Sequence, residues 1–164
     1  MNRLIVGEQI TCRCASVYTS SLTYGRKYTL LGSDPAKKQI KTLGDNGRTR
    51  WYPMFCFEPG EIDLPFMLRF RLTDEIESSS NGSVVVEVDF THGERRWCFF
   101  ATPAALAASG DLIDGTQVRM HYSMPHLIIV TELTEAVVTR ALHIIEQQGA
   151  LVSATLPIDS PQRG

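Results

Sequence analysis

Apolar and polar positions along the first third of the chain alternate with the two-residue period of short strands. Ile10-Thr11-Cys12-Arg13-Cys14 gives the first such run, Arg26-Lys27-Tyr28-Thr29-Leu30-Leu31 a second and Lys37 to Leu43 a third. Ser16 to Gly25 is polar and turn-rich, and Gly32 to Ala36 contains Asp-Pro. Gly44-Asp45-Asn46-Gly47 holds the Asn-Gly pair that favours a tight hairpin, because both residues tolerate positive φ. Arg48-Thr49-Arg50-Trp51-Tyr52 supplies the return strand, Pro53 ends it, and Phe55-Cys56-Phe57 follows as a closing strand. Short strands with local turns predict a small barrel here, not a helical unit.

Glu58-Pro59-Gly60-Glu61 is the predicted boundary. Beyond it, Phe66 to Leu72 reads as a strand with Phe66, Leu68, Phe70 and Leu72 on one face and Met67, Arg69 and Arg71 on the other. Thr73 to Gly82 is an acidic, serine-rich loop. Val84 to Phe90 alternates, Thr91-His92-Gly93-Glu94 turns, and Arg95 to Ala101 returns as an antiparallel partner. Thr102-Pro103 starts a short helix with Thr as cap, and Gln117 to Ser123 and Leu127 to Val130 are predicted strands around Pro125. Leu133, Val137, Val138, Ala141, Leu142, Ile144 and Ile145 form the apolar face of a final helix, capped by Thr131 or Thr134 and ended by Gly149, that packs across the sheet. The expected fold class is α+β, with a barrel over 1–58, an α+β domain over 59–154 and a loose tail over 155–164.

Charge changes this picture more than composition does. From Met1 to Phe57 there are nine Lys or Arg against three Asp or Glu, and from Glu58 to Asp89 two against eight. The whole chain carries a formal net charge of −2, so the two blocks either pair internally or present one sign to a partner. The 164 residues suit one compact domain or two small ones. No signal-peptide run opens the chain, and no stretch approaches the roughly 20 apolar residues needed to span a bilayer, so the expectation is a cytoplasmic protein with no membrane partner. The four cysteines have no disulfide-framework spacing, which fits a reducing compartment.

Candidate chemistry is sparse. Asn46-Gly47-Arg48-Thr49-Arg50-Trp51 and His92-Gly93-Glu94-Arg95-Arg96-Trp97 each place cations and a Trp after a Gly turn, a combination that suits nucleic-acid phosphates and base stacking. The net negative charge argues against nucleic acid as the main partner, leaving each Trp to fill a core. Cys12 and Cys14 project from one strand face, but Cys-x-Cys alone is a poor metal site, and buried packing is the expectation. His92, His121, His126 and His143 belong to no catalytic spacing, and no Gly-x-Ser-x-Gly, His-Glu-x-x-His or phosphate loop is present; an enzyme and a cofactor are therefore not expected. The acidic residues Asp74, Glu75, Glu77, Glu87 and Asp89 are the predicted partner-binding site, an acidic surface that speeds and selects encounter with a basic protein.

Two resemblances add to this reading. Leu22 to Leu31, Asp45-Asn46-Gly47 and Trp51-Tyr52-Pro53-Met54-Phe55-Cys56-Phe57 resemble the Src-homology-three-like barrels of small bacterial and phage proteins. The acidic loop and leading Ala-Leu-Tyr of the proline-binding members are missing, which argues against that activity. Ser83 to Glu87, Gly93 to Phe99, Thr102-Pro103, Pro125 to Val130 and the final helix resemble immunity proteins encoded beside bacterial polymorphic or contact-dependent toxins. That resemblance implies a cytosolic inhibitor that occludes the active site of a cognate toxin domain, typically a nuclease with a basic cleft. The alternative is a regulatory or nucleic-acid-binding module that uses Lys27, Lys37, Lys38, Lys41, Arg48 and Arg50 of the first unit on phosphates.

Overall fold

The structure, a computed structural model, describes residues 4–122, 124 and 126–158. The chain divides into two compact units, Met1–Leu64 with Ile144–Ala150 and Pro65–His143 with Leu151–Gly164. The division falls a few residues after the Glu58-Pro59-Gly60-Glu61 punctuation, and the end of the final helix goes with the first unit. Both units are α+β or β in content, and strands dominate.

The first unit contains β1 (Gln9–Cys12), β2 (Lys27–Thr29), β3 (Gly32–Asp34), β4 (Gln39–Leu43), β5 (Thr49–Pro53), a 3-10 turn at Met54–Cys56, and β6 (Phe57–Pro59). They pair as two open three-stranded sheets, β2-β1-β6 and β3-β4-β5. The predicted closed barrel is therefore not what the hydrogen bonding gives among the described residues. The chain leaves one sheet and enters the other at Leu30 and Leu31, whose N–H groups donate to Glu8 O (2.9 Å) and Lys41 O (2.8 Å). Alternation works as expected on β4 and β5, where Ile40, Thr42 and Tyr52 turn inward. Ile10, Cys12, Leu22, Leu30, Ile40 and Tyr52, all at most 1% exposed, make the centre of this core.

The second unit is built on a five-stranded sheet. Its strands are β7 (Met67–Leu72), β8 (Ser83–Phe90), β9 (Arg95–Ala101) and, after α1 (Pro103–Ala107) and the small ladder of β10 (Asp111–Leu112) and β11 (Arg119–Met120), β12 (Leu127–Ile129). The helix α2 (Glu135–Gln147) follows, and β13 (Leu156–Pro157) completes the set. The order is β12-β9-β8-β7, with β12 parallel to β9 and β13 antiparallel to it. Val84, Val86, Val88 and Phe90 of β8 are buried, as period-two alternation requires.

Three expectations are corrected here. The pairing of β7 with β8 shifts register between Met67 and Arg69, a bulge that leaves Leu68 as the extra residue. Met67, Phe70 and Leu72 therefore face Phe90, Val88 and Val86, and Leu68 is 66% exposed instead of sharing their face. The strand expected over Gln117 to Ser123 is reduced to Arg119–Met120, because it finds only the two-residue partner Asp111–Leu112 and no core face; Ser123 and Pro125 lie outside the described residues. The tail expected from 155 instead supplies β13, paired Leu156 to Trp97 and Pro157 to Arg96, while 159–164 lie outside the described residues.

The helices begin where capping chemistry places them. Thr102 Oγ1 accepts from Ala105 N at 3.3 Å with Pro103 following, and Thr134 Oγ1 accepts from Val137 N at 3.2 Å to start α2. Leu133, Val138 and Leu142 are fully buried, whereas Ile144, expected on the same face, is 60% exposed. Gly149 ends the helix at φ +67°.

Candidate protein-docking surface

Of the five acidic residues singled out by sequence, the structure separates two from three. Glu87 and Asp89 alternate with the buried valines of β8 and so point to the opposite face of the sheet. There the register brings arginines from both flanking strands against them. Arg69 Nε donates to Asp89 Oδ2 at 2.7 Å, Arg95 Nε donates to Asp89 Oδ1 at 3.1 Å, Arg95 also reaches Glu87 at 3.2 Å, and Arg71 pairs with Glu87. The hydrogen bond from Arg69 is the main cause that holds the Asp89 carboxyl below its ordinary range. Three guanidinium groups against two carboxylates leave this patch without net negative charge.

Asp74, Glu75 and Glu77 sit elsewhere, on the exposed loop between β7 and β8. The loop is pinned by its own backbone. Leu133 N donates to Ser79 O (2.7 Å), Thr102 N donates to Gly82 O (3.0 Å), and Gly82 N donates to Thr102 Oγ1 (3.2 Å). A Cβ at Gly82 would lie 2.3 Å from Ser78 O, so only glycine lets the loop close this tightly. The result is an acidic loop fixed at its return end, with Asp74, Glu75 and Glu77 making no ion pair among the described residues.

Beside that loop runs a groove of about 1180 Å³. Every residue of β7 lines it, together with Asp74, Glu75, Ile76 and Ser79 on the loop and Leu133, Thr134 and Glu135 at the start of α2. Since side chains alternate across a strand, a groove touched by every residue of β7 runs along the edge of that strand and not over one face. Sequence reasoning found the acidic loop and missed the groove. Its signal, a strand with no later pairing partner, needs the sheet order to be read.

Of the other acidic residues of the second charge block, Glu58 and Asp63 are neutralised locally, whereas Glu61 makes no ion pair among the described residues. Glu58 pairs with Arg13 at 2.5 Å and Asp63 with Lys27 at 3.2 Å. From the basic block, Lys38, Lys41, Arg48 and Arg50 make no ion pair among the described residues. Trp51, expected in a core, is 45% exposed, with Lys41 Nζ 5.9 Å from its ring centroid. Trp97 is half-buried, its ring 4.3 Å from that of His126.

The remaining candidates for chemistry do not assemble. Cys12, Cys56 and Cys98 are buried, and burial raises Cys12 and Cys98 to about 12 and Cys56 to about 11. No group of three or more His, Cys, Asp or Glu among the described residues is placed to hold a metal ion. His121 Nε2 is 2.8 Å from Leu106 O, to which it donates, and His92 Nε2 is 3.1 Å from Glu94. Among the described residues no helix is long and apolar enough to cross a membrane. Comparison with protein-family models, with curated proteins and with solved structures gives no match.

Proposed function

We propose that this chain is a cytosolic immunity protein that binds a cognate bacterial toxin domain, a basic protein of the nuclease type, and occludes its active site. The observation that carries this reading is the loop, anchored at its return end, on which Asp74, Glu75 and Glu77 stand exposed beside a groove and make no ion pair among the described residues. Exposed carboxylates without an ion pair among the described residues complement a basic cleft, and desolvating them costs less than breaking an existing salt bridge first. Glu87 and Asp89 contribute indirectly, by holding Arg69 and Arg71 of β7 and Arg95 of β9 against the sheet. In this reading the protein is a binder with no catalytic residue and no cofactor.

The first unit supports that assembly as an open relative of the Src-homology-three-like barrel. The passage of one chain between two three-stranded sheets at Leu30-Leu31, and the 3-10 turn before β6, favour that finer assignment. A second reading, nucleic-acid binding through the first unit, is favoured by the exposed Trp51 with Lys41 beside its ring, since an open ring with a cation suits stacking on a base.

The test is affinity capture from the native lysate at low and moderate salt, with the variant Asp74→Asn, Glu75→Gln, Glu77→Gln alongside. One captured protein whose expression arrests growth, and whose toxicity is relieved by the wild type but not by the variant, is the expected result. Capture of nucleic acid that falls steeply with salt and is lost in Trp51→Ala would replace this reading with the second.

A further inference from the structure

The five-stranded sheet ends at β7, and no further strand among the described residues pairs with it beyond β8. Thr73 N donates to Val85 O, and the register then makes Arg69, Arg71 and Thr73 the residues whose backbone groups face β8. Those of Phe70 and Leu72 point the other way, into the groove. The side chains of Phe70, Leu72 and Ile76 are half-buried there, and Leu133 closes the apolar floor. Natural sheets blunt such an edge, and here the bulge at Leu68 covers only one end of it.

We propose that this edge is a docking site for one extended strand of a partner protein, which pairs with the backbone of Phe70 and Leu72 and places Lys or Arg against Asp74, Glu75 and Glu135. The charge of the groove selects the occupant. Its two arginines, Arg69 and Arg71, are already bridged to Asp89 and Glu87, whereas Asp74, Glu75 and Glu135 have no ion pair among the described residues. The uncompensated charge is therefore negative and lies at one end of the strand. Beyond the bulge, residues 69–72 of β7 offer about 13 Å of edge, along which strand addition draws affinity from main-chain hydrogen bonds and specificity from alternate side chains. This inference rests on the partner-binding reading above and adds how the partner is held.

The experiment selects random ten-residue segments on the intact protein by display, and measures the enriched segments as fluorescein-labelled peptides by anisotropy. Enriched peptides should alternate apolar residues and carry Lys or Arg toward one end. Leu72→Pro removes an outward N–H at an edge position together with the Leu72 side chain on the groove floor and should weaken them at least tenfold, and Asp74→Asn with Glu75→Gln at least fivefold at low salt. Hydrogen exchange on the wild type gives a reading that does not depend on how the proline variant folds. The amides of Phe70 and Leu72 should exchange quickly in the free protein and at least tenfold more slowly with peptide, while Arg71 is slow in both. No enrichment, or binding that leaves the Phe70 and Leu72 amides unprotected, overturns the proposal; self-association of the protein alone that is lost in Leu72→Pro reassigns the edge to a second copy. Peptide binding at β7 without any toxic partner would overturn the immunity reading alone, and a toxic partner that leaves those two amides unprotected would overturn strand docking alone.

Discussion

Arg69 and Asp89 meet at 2.7 Å across the β7–β8 pairing, and that contact is the main cause that lowers the Asp89 carboxyl. Asp89 is held below its ordinary 3.8, first by the hydrogen bond from Arg69 and next by that from Arg95. A lowered carboxyl favours the folded state above its unfolded value, and the contribution is lost as pH falls through the folded value. A carbon-detected NMR titration should place Asp89 below 3.8 in the wild type and nearer to it in Arg69→Ala. A midpoint unchanged by that substitution would show that the pairing is not formed in solution.

Thiol reactivity should divide the four cysteines. Burial pushes Cys12 and Cys98 up to about 12 and Cys56 to about 11, so little thiolate is available on them near neutral pH. Cys14 is only half-buried. Iodoacetamide labelling of the native protein at pH 8, followed by mass spectrometry, should modify Cys14 first and the other three only after unfolding. Early labelling of Cys98 would contradict the packing of β9.

Tyr52 is fully buried and packs edge-on against Tyr18 (5.2 Å between centroids) and Phe57 (6.2 Å), yet its hydroxyl has no hydrogen-bond partner among the described residues. Removing a desolvated, unsatisfied hydroxyl while keeping the ring should leave stability unchanged or raise it by up to about 1 kcal/mol. Denaturant unfolding of Tyr52→Phe measures this. A loss greater than about 1 kcal/mol would mean that the hydroxyl is bonded in solution.

Gly149 ends α2 at φ +67°, and a Cβ there would lie 1.9 Å from Arg13 O. Neither the conformation nor the space admits a side chain. Gly149→Ala should cost about 2 kcal/mol or more, from left-handed strain together with displacement of the Arg13 backbone. A circular dichroism melt within about 1 °C of the wild type would contradict the close approach.

Much of the fold was legible because alternation and capping act locally. Val84 to Phe90, Thr102-Pro103 and Thr134 each form what their own neighbours dictate. The failures come where a distant partner decides. One bulged residue in β7 turned Leu68 outward and Met67 inward, and no local pattern announces a bulge. Leu156-Pro157 is too short to carry a period, so its pairing with Trp97 and Arg96 depends entirely on the edge that β9 offers. The same holds for the site: Asp74, Glu75 and Glu77 were readable as a charged loop, but the neutralisation of Glu87 and Asp89 follows from a register that brings Arg69, Arg71 and Arg95 opposite them.

The central claim is that the unpaired loop carboxylates, and not the paired ones on the sheet, attract the partner. Stopped-flow association of the captured partner at low and moderate salt tests it most directly, comparing Asp74→Asn, Glu75→Gln, Glu77→Gln with Glu87→Gln, Asp89→Asn. The account predicts an association rate at least tenfold slower at low salt for the loop variant, with much of the salt dependence gone, and a rate within about threefold of wild type for the sheet variant. Equal rates for wild type and loop variant, or a larger loss in the sheet variant, would contradict it.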